Sequence, residues 1–114
     1  MPSEGYDPNR STIGPEGLSN FIQNTVTGDI TEVPGIGPKA KEALAKKGIT
    51  TTFQLFGQFL MLKEDGVGSV EHCDRFWYWL NSCGISSHRA GIVQCIAEKV
   101  DTMFPGVYDA SMYE

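Results

Sequence analysis

The sequence predicts an all-α protein, a compact single domain of five helices, on three grounds. Apolar residues recur at intervals of three and four between positions 17 and 105, which is the spacing of an amphipathic helix. The alternation of apolar and polar residues that marks a strand is nowhere sustained. Glycines and prolines interrupt the apolar pattern where helices are expected to end. A chain of 114 residues is long enough to enclose one hydrophobic core.

The chain divides into three parts. Residues 1–16 contain three prolines and no apolar periodicity, so we expect a flexible N-terminal arm. Residues 17–105 carry the helical pattern and form the domain. Residues 106–114 follow the last apolar stripe and are expected to form a C-terminal tail.

The first two helices follow from local signals. Apolar spacing over residues 18–25 predicts a short first helix, and residues 31–33 are expected to form a single helical turn. The second helix begins at Pro38, since proline is tolerated in a first helical turn. It ends near Lys47, where Gly48 supplies the left-handed residue that closes many helices.

Three further helices complete the domain. Either threonine of the 50–51 pair can cap a third helix, which is apolar around so much of its circumference that we expect it to bury one face on a partner. A glycine loop at 64–70 precedes the fourth helix, which ends at Gly84. Either serine of the 86–87 pair can cap the last helix, which ends before Pro105.

The most specific motif precedes the second helix. It is Val33-Pro34-Gly35-Ile36-Gly37-Pro38-Lys39, in which two glycines flank one apolar residue. Glycine permits positive φ and leaves room for a phosphate, and the N–H groups of Gly35, Gly37 and Lys39 can point at one from the positive end of the helix dipole. This pattern is typical of a helix-hairpin-helix, which grips the nucleic-acid backbone without reading bases. A tight structural turn beside a solvated lysine face is the alternative interpretation.

The charge distribution limits the strength of such binding. The formal net charge is −5, yet residues 39–47 hold four lysines against one glutamate, which leaves +3 on this segment and −8 on the rest. A basic face on an acidic body predicts weak binding that is sensitive to salt.

Other chemistry is not indicated. Cys73, Cys83 and Cys95 form no CxxC pair and are expected to be buried thiols, while His72 and His88 are too far apart for a local metal pair. The acidic residues around the glycine loop lack the ligand spacing of a calcium loop. We therefore expect no catalytic residues, no metal and no cofactor.

The chain also lacks signals for secretion or membrane insertion. Its apolar runs are shorter than the ~18 residues that a membrane span needs. Its first residues lack the basic and apolar blocks of a signal peptide. We expect a protein of a reducing compartment, nuclear or cytoplasmic, with a viral particle as another setting.

Three sequence blocks resemble the barrier-to-autointegration-factor family. Residues 55–63, LFGQFLMLK, are similar to its LGQFLVLK segment, and Trp79-Leu80 with Cys83-Gly84 resemble its WL…CG helix end. The hairpin falls on its AGIG sequence, and the resemblance covers residues 18–104. It implies a SAM-like helical fold and a homodimer that bridges double-stranded DNA. It also implies a groove across the dimer for small helical domains of nuclear-envelope proteins.

The resemblance and the charge pattern together predict which residues bind DNA and which form the dimer interface. The expected DNA-binding residues are Gly35, Ile36, Gly37, Lys39, Ala40, Lys41, Ser87, His88 and Arg89. The expected dimer-interface residues are Phe56, Gly57, Leu60 and Trp79. The chain departs from the family where His88 replaces a lysine and where the first helix lacks a basic residue.

We therefore predict a non-enzymatic protein that binds double-stranded DNA without sequence preference and bridges or compacts it, as in chromatin. The alternative is a dimeric adaptor of the same fold with weak or lost DNA binding, which the acidic body favours. A third possibility is an enzyme subunit that uses the module only to hold nucleic acid.

Overall fold

The computed structural model describes residues 5–113, which form five α-helices and three short 3₁₀ turns. The α-helices are α1 (Pro15–Gln23), α2 (Pro38–Ala45), α3 (Thr52–Met61), α4 (Ser69–Ser82) and α5 (Arg89–Met103). The 3₁₀ turns are Pro8–Arg10, Ile30–Glu32 and Ala110–Tyr113. These residues contain no β-strand, and the all-α prediction is confirmed.

Local signals set most helix boundaries. Pro15 occupies the first position of α1, three residues before the predicted start. Thr51 caps α3: its hydroxyl accepts the N–H of Gln54 at 3.1 Å, and the Gln54 side chain accepts the N–H of Thr51 at 3.1 Å. The predicted serine cap of the last helix is wrong, because the residue before α5 is His88, which has a left-handed backbone and gives no side-chain cap bond.

Helix α5 lies at the centre of the core. Its residues Ile92, Val93, Ile96 and Val100 are completely buried, and all four belong to the apolar stripe that the sequence predicts for this helix. Helices α1, α3 and α4 pack against it. Among the described residues, no helix is long and apolar enough to cross a membrane.

The N-terminal segment packs on the helices over the part that the structure describes. Tyr6 is 5% exposed, and its hydroxyl lies 2.8 Å from the hydroxyl of Tyr108 in the C-terminal segment. Its backbone N–H donates to Oδ1 of Asp74 in α4 at 2.8 Å. The expectation of a flexible arm is therefore corrected for residues 5–14, while residues 1–4 lie outside the described part. Single buried side chains hold this segment, and they leave no periodic pattern in the sequence.

Candidate nucleic-acid interface

Gly35 fixes the hairpin against α5. Its φ is +96°, in the left-handed region that favours glycine. A Cβ at this position would lie 3.0 Å from Cγ1 of Ile92 and 3.2 Å from Cβ of His88. Backbone conformation and close packing both require glycine here. Gly35 thus sets the position of the turn, in addition to any contact it makes with a ligand.

Ile36 anchors the same turn in the core. Its side chain is 4% exposed, and its N–H donates to the carbonyl oxygen of Val33 at 3.0 Å. Val33 is itself completely buried. The side chain of Ile36, which we predicted as a DNA-binding residue, therefore faces the core. Its contribution is to hold the two flanking glycines at the surface.

Gly37 opens the first turn of α2 to solvent. It is the N-cap residue, and apart from its two chain neighbours no residue of the described chain lies within 4 Å of a Cβ built there. The first helical bond runs from the N–H of Lys41 to the carbonyl oxygen of Gly37 at 2.9 Å. The preceding N–H groups of Lys39 and Ala40 have no acceptor within the helix. Exposed amides at the positive end of a helix dipole form a site that favours an anion.

An open cleft lies where α2 and α5 begin. It is lined by Gly35, Gly37, Pro38, Lys39, Ala40, Ser87 and His88. Its volume of about 480 Å³ is more than tenfold the ~30 Å³ that one water molecule occupies in the liquid, so a phosphodiester group can enter. The cleft joins six of the predicted DNA-binding residues, which come from positions about fifty residues apart in the sequence.

His88, the last residue of the turn before α5, lines this cleft. Its φ of +62° is uncommon for a residue other than glycine. Its carbonyl oxygen accepts the N–H of Ile92 at 2.9 Å, and its Nδ1 lies 2.9 Å from Oγ1 of Thr12. Thr12 was not predicted as a site residue, because a contact across 76 residues leaves no local signal in the sequence.

Two predicted DNA-binding cations do not line the cleft. Lys41 is exposed on α2. It lies near Asp29, whose pKa is lowered chiefly by hydrogen bonds from Thr31 and to a smaller degree by the Lys41 charge. Arg89 places Cζ 3.8 Å from the ring centroid of Trp77 in α4. Because α4 engages this side chain, the arrangement does not support the predicted phosphate contact of Arg89.

The family relationship is decided by a match that spans both halves of the cleft. A sequence model described as barrier to autointegration factor matches residues 16–103. The chain belongs to the barrier-to-autointegration-factor family. This is a non-enzymatic family that binds DNA, so membership suggests DNA binding and bridging in general terms. No curated protein and no solved structure matched the chain.

In this barrier-to-autointegration-factor family member, α3 presents an open apolar stripe. Apart from its two chain neighbours and the nearby backbone of α3, no described atom lies within 4 Å of a Cβ built at Gly57. Phe53 and Met61, each one turn away, are 58% and 74% exposed. We missed Phe53 and Met61 as surface residues, although their spacing of four from Gly57 was a usable signal.

The other predicted interface residues differ in exposure. Leu60 and Trp79 are half-buried and retain open surface. Phe56 is 7% exposed and belongs to the core of the monomer. The assignment of Phe56 to a free dimer surface is therefore corrected, because its side chain points from α3 into the domain.

Proposed function

We propose that this protein binds double-stranded DNA without sequence preference and, as a homodimer, bridges or compacts duplexes. The observation that carries the proposal is the cleft at Gly37, which is lined by the first turn of α2 and by Ser87 and His88 immediately before α5. The positive end of the α2 dipole lies at this cleft, and the N-cap residue of α5, His88, also borders it. A phosphate of the DNA backbone is the ligand with matching charge and size.

In this proposal the main contacts to DNA are hydrogen bonds from backbone N–H groups, and lysine charges add to them. The N–H groups of Gly37, Lys39 and Ala40 donate to phosphate oxygens, and the ammonium groups of Lys39 and Lys41 add attraction that does not depend on the base. Lys46 and Lys47 are also exposed, at the far end of α2. Because the whole chain carries a net charge of −5, the affinity is modest, and it weakens further as salt rises.

Bridging needs two clefts in one particle. The open stripe of α3, formed by Phe53, Gly57 and Met61, supports pairing with a second copy, since Gly57 lets a partner helix approach closely. Leu60, three residues after Gly57 on the same helix, is half-buried and retains open surface, as does Trp79 of α4. A two-fold pair of chains then holds two duplexes, one at each cleft.

Titration of short duplexes of unrelated sequence tests the proposal. We expect equal affinities that weaken together from low to moderate salt. The double variant Lys39→Glu with Lys41→Glu should lose most binding, whereas Lys46→Glu with Lys47→Glu changes the net charge equally but lies away from the cleft and should lose less. Absence of wild-type binding at low salt would overturn the proposal.

A dimeric adaptor is the second candidate, and the engagement of Arg89 by Trp77 favours it because one cation of the region is withdrawn. In that case the α3 face forms the dimer, and small helical protein domains bind across it. A wild-type protein that sediments as a dimer yet binds no duplex at low salt would favour the adaptor over the DNA-binding protein.

A further inference from the structure

Residues 11–13 precede the segment that matches the family and dock beside the cleft. The docking depends on Gly91 in α5, where a Cβ would lie 2.5 Å from Cγ1 of Ile13 and 3.3 Å from Oγ of Ser11. The N–H of Ile13 donates to Oγ of Ser11 at 3.2 Å, which holds the segment in a local turn. The absence of a side chain at Gly91 therefore lets the N-terminal segment lie directly on the first turn of α5.

This docking brings Thr12 to His88. Both residues line a hollow of about 500 Å³ together with Gly35 and Gly37, on the side of the hairpin adjoining the cleft. Oγ1 of Thr12 lies 2.9 Å from Nδ1 of His88. The other ring nitrogen, Nε2, makes no hydrogen bond with any residue from 5 to 113. The His88 backbone is held in place by its bond to Ile92, so rotation of the side chain is its remaining freedom.

We propose that Thr12 is a positioning residue of the DNA interface, which fixes the imidazole of His88 so that Nε2–H donates to a backbone phosphate. This inference rests on the proposed function. When the Thr12 hydroxyl donates to Nδ1, a neutral ring must carry its proton on Nε2. A charged ring carries a proton there as well. The hydrogen bond also removes rotamers that binding would otherwise have to freeze.

The direct test compares Thr12→Val with Thr12→Ser in the full chain, using a fluorescent duplex at low salt. We expect Thr12→Val to weaken binding about fivefold, the effect of losing one ordinary hydrogen bond, and Thr12→Ser to bind like the wild type. Thr12 is exposed, so the melting temperature should stay the same in both.

The tautomer of His88 is a second measurement, and it would not change if Thr12 had only a structural role. Long-range nitrogen–proton NMR correlations should show His88 with its proton on Nε2 in the wild type and in Thr12→Ser, and a mixture of tautomers in Thr12→Val. His72, whose Nε2 lies 2.6 Å from the carbonyl oxygen of Phe59, should be unchanged and serves as an internal reference. An unchanged His88 spectrum in Thr12→Val would overturn the inference.

A second variant displaces the segment without touching Thr12. Gly91→Ala puts a methyl group against Ile13 and should weaken binding as much as Thr12→Val, with no further loss in the double variant. Gly17→Ala is the matched control, because its Cβ would meet Ile13 at an ordinary 3.6 Å, and it should bind normally.

The outcomes separate the two proposals. If Thr12→Val and Gly91→Ala bind like the wild type while Lys39→Glu binds weakly, the role of Thr12 is wrong and the DNA-binding function stands. If the wild type binds no duplex, both are wrong.

Discussion

The guanidinium of Arg89 lies over the indole ring of Trp77, with Cζ 3.8 Å from the ring centroid. Arg89 is the first residue of α5 and directly follows His88 at the cleft, yet its side chain turns toward α4. A guanidinium over an aromatic face is attracted by the quadrupole of the ring. Arg89 therefore links α5 to α4. In the proposed function, phosphate binding at the cleft then depends on backbone amides and lysines.

We expect Arg89→Gln to lower the free energy of unfolding by about 1 kcal/mol through loss of the cation–π contact. Its effect on duplex affinity should match that of Arg10→Gln, an exposed control with the same change of charge. Urea denaturation and duplex titration measure the two quantities. A loss of affinity as large as that of Lys39→Glu would instead assign Arg89 to the DNA interface.

The two hairpin glycines should respond differently to substitution. In Gly35→Ala, the methyl group meets Ile92 and the backbone keeps a positive φ, so we expect a loss of about 2 kcal/mol or more in stability. In Gly37→Ser, the hydroxyl can accept an N–H of the first turn and cap α2, so stability should rise slightly, by roughly 0.3 kcal/mol.

Duplex affinity should fall in Gly37→Ser, because the new hydroxyl accepts a hydrogen bond from a backbone N–H of the first turn. That N–H is then no longer free to donate to a phosphate oxygen. Stability and affinity then move in opposite directions, which can be measured by thermal denaturation and titration of the same samples. A serine variant that binds DNA as tightly as the wild type would exclude the first-turn amides as the phosphate site.

Gly57→Glu tests the α3 surface. Apart from its chain neighbours and the nearby backbone of α3, no described atom lies within 4 Å of a Cβ at this position, so a glutamate has room and should leave the fold intact. At an interface of paired α3 helices it would bury an unpaired carboxylate, which is strongly unfavourable. We expect a monomer by analytical ultracentrifugation that still binds one duplex but no longer bridges two.

Asn20→Glu, at an exposed position of α1, is the matched control for the added charge and should remain dimeric. A Gly57→Glu protein that sediments as a dimer would place the interface on another surface.

Local features were predictable because their signals lie within one turn of the chain. A threonine cap of α3, the proline start of α2 and the pair of glycines in the hairpin all belong to this class, although the choice of Thr51 over Thr50 came from the structure. The directions of side chains were not predictable, because Arg89 and Phe56 are oriented by packing against other helices. An arginine can bind DNA as readily as it packs on an indole ring, and a phenylalanine can lie in a dimer interface as readily as in a core. Residue type alone therefore does not decide between these positions.

Long-range contacts explain why the N-terminal segment was misjudged. Tyr6 meets Tyr108 across 102 residues, and Thr12 meets His88 across 76. Neither pair follows a helical period or a capping rule, so composition alone suggested a flexible segment. The matched family segment excludes both Tyr6 and Tyr108, so the family resemblance could not supply this contact either.

The core histidine should make the fold sensitive to mild acid. His72 is completely buried and stacks on Phe59 with ring centroids 4.0 Å apart, and within the described residues its Nδ1 has no hydrogen-bond partner. Burial lowers the pKa of His72 below the ordinary value of 6.5, and the charges of Lys63 and Arg75 act in the same direction. The unfolded chain therefore binds a proton more readily than the folded one. Stability is complete above the unfolded pKa and falls as the pH drops through and below it.

We expect the free energy of unfolding to decrease below about pH 6.5 in the wild type, and this part of the decrease to be absent in His72→Met. Urea denaturation over a series of pH values measures it. His88→Asn is the control: asparagine tolerates the left-handed backbone, and this variant loses the His88 imidazole and its hydrogen bond with Thr12 but leaves His72 untouched, so the part of the slope that comes from His72 should remain. A slope that disappears in His88→Asn and persists in His72→Met would assign the acid sensitivity to the cleft instead of the core.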